Sequence, residues 1–266
     1  IELGISEQNM MGVAAGLASN GFDVITTTFS PFQTLRCLEQ IKVNLGYMKN
    51  KVCFVGLASG VVLGSLGYTH CSIEDIGVLR SIPNLAIVSP ADSTEVTKVI
   101  PAALKYKQSV YVRLTGGNRN PIVNRQNYSF SIGKAIKLKD GKDITIFASG
   151  SMVYTSLKAA VELEKIKISC EVINMHTIKP IDQIQIRKSA KKNKLFVSIE
   201  EHNVIGGLGS SILEVISCIK NRPILLSLGL KDSYEISGEY NFILKKNGLD
   251  TKSIIKRIKK FYNSRK

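Results

Sequence analysis

The segment Gly4-Ile5-Ser6-Glu7-Gln8-Asn9-Met10 puts one carboxylate at the mouth of a very apolar helix. Met10, Val13, Ala14 and Leu17 recur at helical spacing across a predicted helix from Glu7 to Ser19, and Gly12, Ala15, Gly16 and Ala18 keep its other faces small. Ser6 suits the N-cap, and Glu7 in the first turn suits the helix dipole, an arrangement many helix starts share. Small residues all round predict packing on several sides, so that Glu7 points into a protein interface. A carboxyl group there is expected to have a raised pKa and a partner, and can hold and donate a proton. Such a role requires that Glu7 is not tied up in a local ion pair.

Other segments extend the pattern. A strand candidate, Phe22–Thr27, leads through Thr28-Phe29-Ser30-Pro31-Phe32 into a predicted helix from about Gln33 to Leu45. The two aromatics therefore sit on a strand-to-helix turn, where side chains face a cleft. Gly64-Ser65-Leu66-Gly67-Tyr68-Thr69-His70, Ile73-Glu74-Asp75-Ile76 and Leu79-Arg80-Ser81-Ile82-Pro83-Asn84 follow. The second half adds Gly150-Ser151, Ile178-Lys179-Pro180-Ile181-Asp182, Glu200-Glu201-His202 and Gly206-Gly207-Leu208-Gly209-Ser210. In this order and spacing, over nearly the whole chain, they resemble thiamine-diphosphate enzymes, most closely the transketolase family.

The resemblance implies that the cofactor does the hard chemistry while the protein supplies geometry and electrostatics. It places Glu7 against the pyrimidine N1′ of thiamine diphosphate, and Phe29, Phe32 and Leu35 against the pyrimidine ring; Leu35 stands where many relatives have Tyr. His70 matches a histidine that faces the reacting end of the substrate, where it could bond a hydroxyl or move a proton. Arg80 and Arg113 are candidates for a substrate phosphate, since guanidinium forks suit phosphate oxygens; Arg80 serves equally as a salt bridge. His202 is expected to support a subunit interface.

The family also needs a domain that binds the diphosphate and its magnesium ion through an acidic Gly-Asp-Gly to Asn motif, which this chain lacks. That implies a diphosphate-binding N-terminal domain upstream or, as favoured here, a separate subunit in a split transketolase, with two copies of each and active sites where subunits meet. A helix and strand are expected before Ile1. The implied activity is transfer of a two-carbon ketol unit between sugar phosphates, with self-association and no turnover alone. Two departures bear on the sugar. Leu66 replaces an Asp that reads a substrate hydroxyl, and Ala58 replaces a His near the substrate phosphate, so a buried hydroxyl opposite Leu66 would be unpaired. The alternatives are a β-type subunit of a 2-oxoacid dehydrogenase or a deoxyxylulose-phosphate-synthase-like protein, and a non-catalytic interaction subunit.

Positioning these residues takes two α/β domains. Apolar strand candidates at Val24–Thr27, Val52–Leu57, Leu85–Val88 and Ser109–Val112 alternate with helices, which predicts an open, mostly parallel sheet over residues 1–117. Residues 118–131 read as a linker. Residues 132–266 repeat the alternation, with strands at Ile144–Ala148, Ser169–Ile173, Leu195–Ile199 and Ile224–Leu228 and helices at Val153–Leu163, Asp182–Lys192, Leu208–Ile219 and Lys252–Tyr262. Gly206–Gly209 lacks the dinucleotide fingerprint, so its glycines are assigned to close helix packing.

The 266 residues suit two domains, each able to bury a core, and 44% apolar content argues against disorder. No apolar run spans a bilayer and no leader is evident, so a cytoplasmic location without membrane contact is expected. Five scattered cysteines without a metal-ligand spacing are expected to be buried thiols; Cys71 beside His70 does not by itself make a nucleophile. The net charge of +15 falls mostly on residues 131–266. Its lysines are dispersed, with no nucleic-acid motif, so nucleic acid is not an expected partner; the charge suits anionic phosphorylated substrates.

Overall fold

The computed structural model describes residues 1–117, 120–124 and 127–265. Asn118, Arg119, Arg125 and Gln126 of the expected linker, with Lys266, lie outside the described residues.

The first half runs α1 (Glu7–Ser19), β1 (Val24–Phe29), α2 (Ser30–Gln33), α3 (Leu38–Gln40), a π-helix (Ile41–Tyr47), β2 (Val52–Leu57), a 3-10 turn (Gly64–Leu66), α4 (Asp75–Arg80), β3 (Leu85–Val88), α5 (Ser93–Lys105) and β4 (Ser109–Arg113). The second runs β5 (Ile136–Lys139), β6 (Ile144–Ala148), α6 (Met152–Lys165), β7 (Cys170–Asn174), β8 (Thr177–Lys179), α7 (Gln183–Lys192), β9 (Leu195–Asn203), α8 (Leu208–Ile216), β10 (Ile224–Leu230), α9 (Tyr240–Lys246) and α10 (Thr251–Asn263).

These elements form two five-stranded sheets, ordered β1-β2-β4-β3-β8 and β10-β9-β6-β7-β5. Strands β1 to β4 pair in parallel, as do β6, β7, β9 and β10. The interior strands β3, β4, β6 and β7 are buried along their whole length, which is why their sequences are near-continuous apolar runs instead of alternating ones. The expected α/β architecture holds. Two short antiparallel edge strands were not anticipated: β5 against β7, and β8 against β3. Three or four residues carry too little alternation to read as strands.

Strand β8 matters beyond its length, because it crosses from the second half to finish the first sheet. The cores merge accordingly. One apolar cluster joins Met11, Ile41, Phe54 and Ile76 from the first half to Phe147, Ile173, Phe196 and Ile212 from the second. At its centre Phe147 and Phe196 meet edge to face at 5.0 Å. The glycine-rich loop before α8 packs as expected, since a Cβ on Gly206, whose φ is +77°, would lie 2.9 Å from the Cα of Gly77.

Two local expectations are corrected. Ser6 occupies the N-cap of α1 but makes no capping bond; its hydroxyl donates to the carbonyl of Leu3. Within this chain helix α1 packs on one side, burying Glu7, Met11, Ala14 and Ala15, whereas nothing of the same chain lies within 4 Å of a Cβ built on Gly12 or Gly16. The predicted helix Gln33–Leu45 is broken. Pro31 starts α2 in its first turn, Thr34 turns its hydroxyl back onto the carbonyl of Ser30, and the chain re-enters helix only at Leu38 before loosening into π geometry. Helix α8 also stops at Ile216, short of Ile219, and α9 was missed.

Because the core is shared, thermal unfolding is expected as a single calorimetric transition. Phe196→Ala should cost about 3–5 kcal/mol and lower the transition for probes in both halves together. Two separated transitions would show the halves to be independent.

Candidate active site

The carboxyl ends of β1, β2 and β4 deliver Phe29, Ala58 and Arg113 to one edge of the first sheet, the edge where open α/β sheets bind ligands. Ala58 has φ of +51°, a left-handed conformation that costs a non-glycine residue energy and so marks a constrained loop. Phe29 and Phe32 meet edge to face at 6.4 Å, and Phe32 meets the His70 ring at 5.4 Å. Sequence reasoning had thus grouped Phe29, Phe32 and His70 correctly in space. His70 bonds the Thr69 hydroxyl at 3.0 Å. Leu35 is exposed, as is Leu66 in the 3-10 turn.

Glu7 lies at one end of a groove of about 730 Å³ between α1 and β1, walled in part by Met10, Val13, Leu17 and Ile25. Its carboxylate accepts from Arg36 Nη1 at 2.8 Å. This corrects the sequence reading, which required Glu7 to be free of a local ion pair and its pKa to be raised. Partial burial does push the pKa up, but the Arg36 hydrogen bond, the residue's own backbone N–H and the Arg36 charge together bring it below 4.5. In the isolated chain Glu7 is therefore an ionised acceptor. Arg36 was missed in the sequence, where it falls inside the predicted helix Gln33–Leu45 and has no distinguishing mark; in the structure it lies in the turn between α2 and α3. Its guanidinium also lies 4.0 Å from the centroid of Phe32. One planar hydrogen-bonding group thus sits on the Phe32 face and on the Glu7 carboxylate at once.

The arginines expected at a substrate phosphate are placed otherwise. Arg113 is 2% exposed. Its Nε donates to Asp75 Oδ2 at 2.7 Å, and Nη2 donates to the carbonyls of Ser72 at 3.1 Å and Glu201 at 3.0 Å. A guanidinium so enclosed is not presented to a ligand, because freeing it would strand a buried carboxylate. Arg80 donates to the Gly206 carbonyl at 2.9 Å and to Glu214, and so spans the two halves as a salt bridge. His202 is wholly buried between the halves of this chain, not at a surface between subunits. Desolvation lowers its pKa to about 4, so the ring is neutral at pH 7. It accepts from the Gly77 N–H at 3.3 Å through Nε2, and its Nδ1–H therefore donates to the Asn203 carbonyl at 2.7 Å.

Around Arg113 the interior is unusually polar. Asp75 Oδ2 also accepts from Tyr111 at 2.8 Å, and the Ser30 hydroxyl lies 2.7 Å from Tyr111 and 3.2 Å from Asp75. Burial, the largest single influence, would raise the pKa of Asp75, but the Arg113 charge, the nearby His202 and the hydrogen bonds from Arg113 and Tyr111 together hold the group below the usual carboxylate range. A legible signal existed here: a tyrosine and an arginine inside an otherwise apolar strand, Ser109-Val110-Tyr111-Val112-Arg113, need buried partners. Glu201 accepts from Val61 N–H at 2.9 Å and from the Ser151 and Tyr240 hydroxyls, both at 2.6 Å. Glu200 accepts the first N–H groups of α8, from Leu208 at 2.6 Å and Gly209 at 2.9 Å, so an internal carboxylate already fills the place where a phosphate loop would hold an anion. Cys71 is buried and its thiol pushed up to about 11 by desolvation, so it is neutral and inert. Four of the five cysteines are buried free thiols as expected; Cys218 is exposed. No helix among the described residues is long and apolar enough to cross a membrane, and no group of three or more His, Cys, Asp or Glu among them could hold a metal ion.

Two titrations follow. Arg36→Gln removes the interactions that lower the Glu7 pKa and leaves its desolvation, so the carboxyl pKa should rise above the wild-type value in a carbon-13 NMR titration; an unchanged value would show that Arg36 does not control it. Burial raises Glu200 to about 7 against 4.5 for an ordinary glutamic acid, despite the two N–H groups that favour its charge. An acid with a raised folded pKa binds more protons folded than unfolded, so stability falls as pH rises from about 4.5 through 7. Urea unfolding should show that slope, and Glu200→Gln should flatten it.

Family models for the transketolase pyrimidine-binding domain and the transketolase C-terminal domain match residues 1–120 and 133–254. The chain is 36% identical over 261 residues to a protein of Phocaeicola vulgatus described as one subunit of an apulose-4-phosphate transketolase, covering 98% of this chain and 83% of that one. It is 40% identical over 256 residues to a putative transketolase C-terminal section of Methanocaldococcus jannaschii, covering 96% and 80%. Among solved structures, one described as a split-gene transketolase, inactive beta4 tetramer, superposes with a TM-score of 0.88 at 35% identity, covering 98% of this chain and 82% of that one. With both domain models matched in chain order and relatives of this identity aligned almost end to end, the chain belongs to the transketolase family.

Proposed function

We propose that this chain is the pyrimidine-holding subunit of a split transketolase, which transfers a two-carbon ketol unit between phosphorylated sugars with thiamine diphosphate. The observation that carries the reading is the seat now filled by Arg36. A planar group is held there by a carboxylate at 2.8 Å and an aromatic face at 4.0 Å, with His70 against the same aromatic ring. These are the fittings a hydrogen-bonding heteroaromatic ring requires.

When bound, thiamine diphosphate supplies the carbon nucleophile that carries the two-carbon unit. The residues of this chain do the rest of the work on their side of the seam. Glu7 holds the pyrimidine N1′ and moves a proton there, once the guanidinium of Arg36 has given way; the 42% exposure of the Arg36 side chain leaves it room to swing out. The Glu7 carboxyl, now lowered by Arg36, then keeps only its desolvation and is better able to hold a proton. Phe32 and Phe29 cover the ring and exclude water, Leu35 adds an aliphatic edge, and His70 bonds the reacting end of the sugar. Arg80 would reach a phosphate only by leaving Glu214, and Arg113 takes no part in binding. Leu66 offers no partner to a substrate hydroxyl, which favours a sugar other than the ordinary pentose-pathway ones. The diphosphate and its magnesium ion fall to an N-terminal partner subunit, as the names of the relatives suggest. The apolar groove beside Glu7 is where a second chain seals the site.

Co-expression with the diphosphate-binding partner tests the reading. The complex should turn over ketose phosphates and neither subunit should do so alone. Glu7→Gln should keep assembly and melting temperature while losing turnover by about 100-fold or more. Near-normal turnover in that variant removes Glu7 from the mechanism, and use of pyruvate in place of a ketose as donor selects the synthase-like alternative.

A further inference from the structure

Two walls of the candidate ring seat are tied to one buried post, which also holds a strand of the second half. The first is the Phe29–Phe32 turn, tied by the Ser30 hydroxyl to Tyr111 and Asp75. The second is the end of the His70 loop, where the Ser72 carbonyl accepts from Arg113 and the Ser72 N–H and carbonyl close a bridge with Gly60. The post itself is anchored to β9 of the second half, whose Glu201 carbonyl accepts from the same Arg113 Nη2. Ser30, Asp75 and Tyr111 are 0% exposed and Arg113 is 2% exposed, so none of them faces a ligand.

Stability does not explain such a post. A buried ion pair is often no more stabilising than apolar residues of the same volume. What it supplies is direction: a guanidinium fork and a carboxylate fix the angles of everything bonded to them, which apolar packing does not. We propose that Ser30, Tyr111, Asp75 and Arg113 are positioning residues, which set the Phe29–Phe32 turn against the His70 loop and so give the ring seat its shape. This rests on the reading of that place as the seat of the cofactor ring.

The test uses Ser30→Ala, with Tyr111→Phe as a second variant should the first not fold. Thr145→Val is the control. Thr145 is equally buried and donates to Glu171 at 2.8 Å under the second sheet, away from the seat. In the full chain labelled with fluorophenylalanine, the Phe29 and Phe32 resonances should move in both network variants and stay in place in the control. In the complex with the partner subunit, calorimetric affinity for thiamine diphosphate should weaken about five- to tenfold in the network variants only, as expected for one lost hydrogen bond. Lowered melting temperatures with unmoved resonances and unchanged affinity would overturn the proposal and leave the network a purely structural one. Moved resonances in a complex that binds no thiamine diphosphate, wild type included, would uphold the control of the turn and reject the cofactor reading.

Discussion

A single carboxylate oxygen, Asp75 Oδ2, organises the interior of this chain. It takes a guanidinium N–H from the end of β4 and a phenol from the middle of the same strand, while a serine from the turn after β1 lies within 3.2 Å. The ion pair is closed to water, so its members cannot be exchanged singly: removing one partner leaves an uncompensated buried charge, at about 3–5 kcal/mol. Arg113 extends the constraint to β9, and β9 places Glu200, Glu201 and His202 where they cap α8, bond the loop after β2 and receive the backbone of α4. The two halves are thus joined by directional polar bonds as well as by a common apolar core.

Against that fixed interior stands a site that is open to exchange. Glu7 and Arg36 form an ion pair with one member substantially exposed, which contributes little to stability and can be given up at small cost. Arg113 and Arg36 show how burial divides two chemically identical groups. Buried, with Nε and Nη2 bonded to Asp75, Ser72 and Glu201, the first is architecture. The second has solvent on one side and touches both a carboxylate and an aromatic face, and on that contrast rests the proposal that a planar ring takes its place.

Much of the architecture was legible before any coordinates. The strands Val52–Leu57, Leu85–Val88 and Ile144–Ala148 and the helix Glu7–Ser19 stand at the predicted residues, since long apolar runs and helical periodicity are local properties. What escaped were features whose cause lies far along the chain. Strands β5 and β8 exist because a distant edge is there to pair with. The break after Gln33 depends on Thr34 closing back on Ser30, and on the turn being held by Asp75 from beyond β2.

The same division runs through the site. It was the resemblance to the transketolase family that put Glu7, Phe29, Phe32 and His70 into one expected group; in the structure Phe29, Phe32 and His70 touch in series, and Arg36 links Phe32 to Glu7. Charge state and accessibility were not contained in that resemblance. Whether a carboxyl is raised or lowered, and whether an arginine greets a ligand or braces a sheet, depends on which charges and donors lie within a few ångströms, and those come from remote segments: Arg36 for Glu7, Asp75 and Glu201 for Arg113, Gly206 and Glu214 for Arg80. Electrostatics falls off with distance in space, and sequence separation carries no record of it.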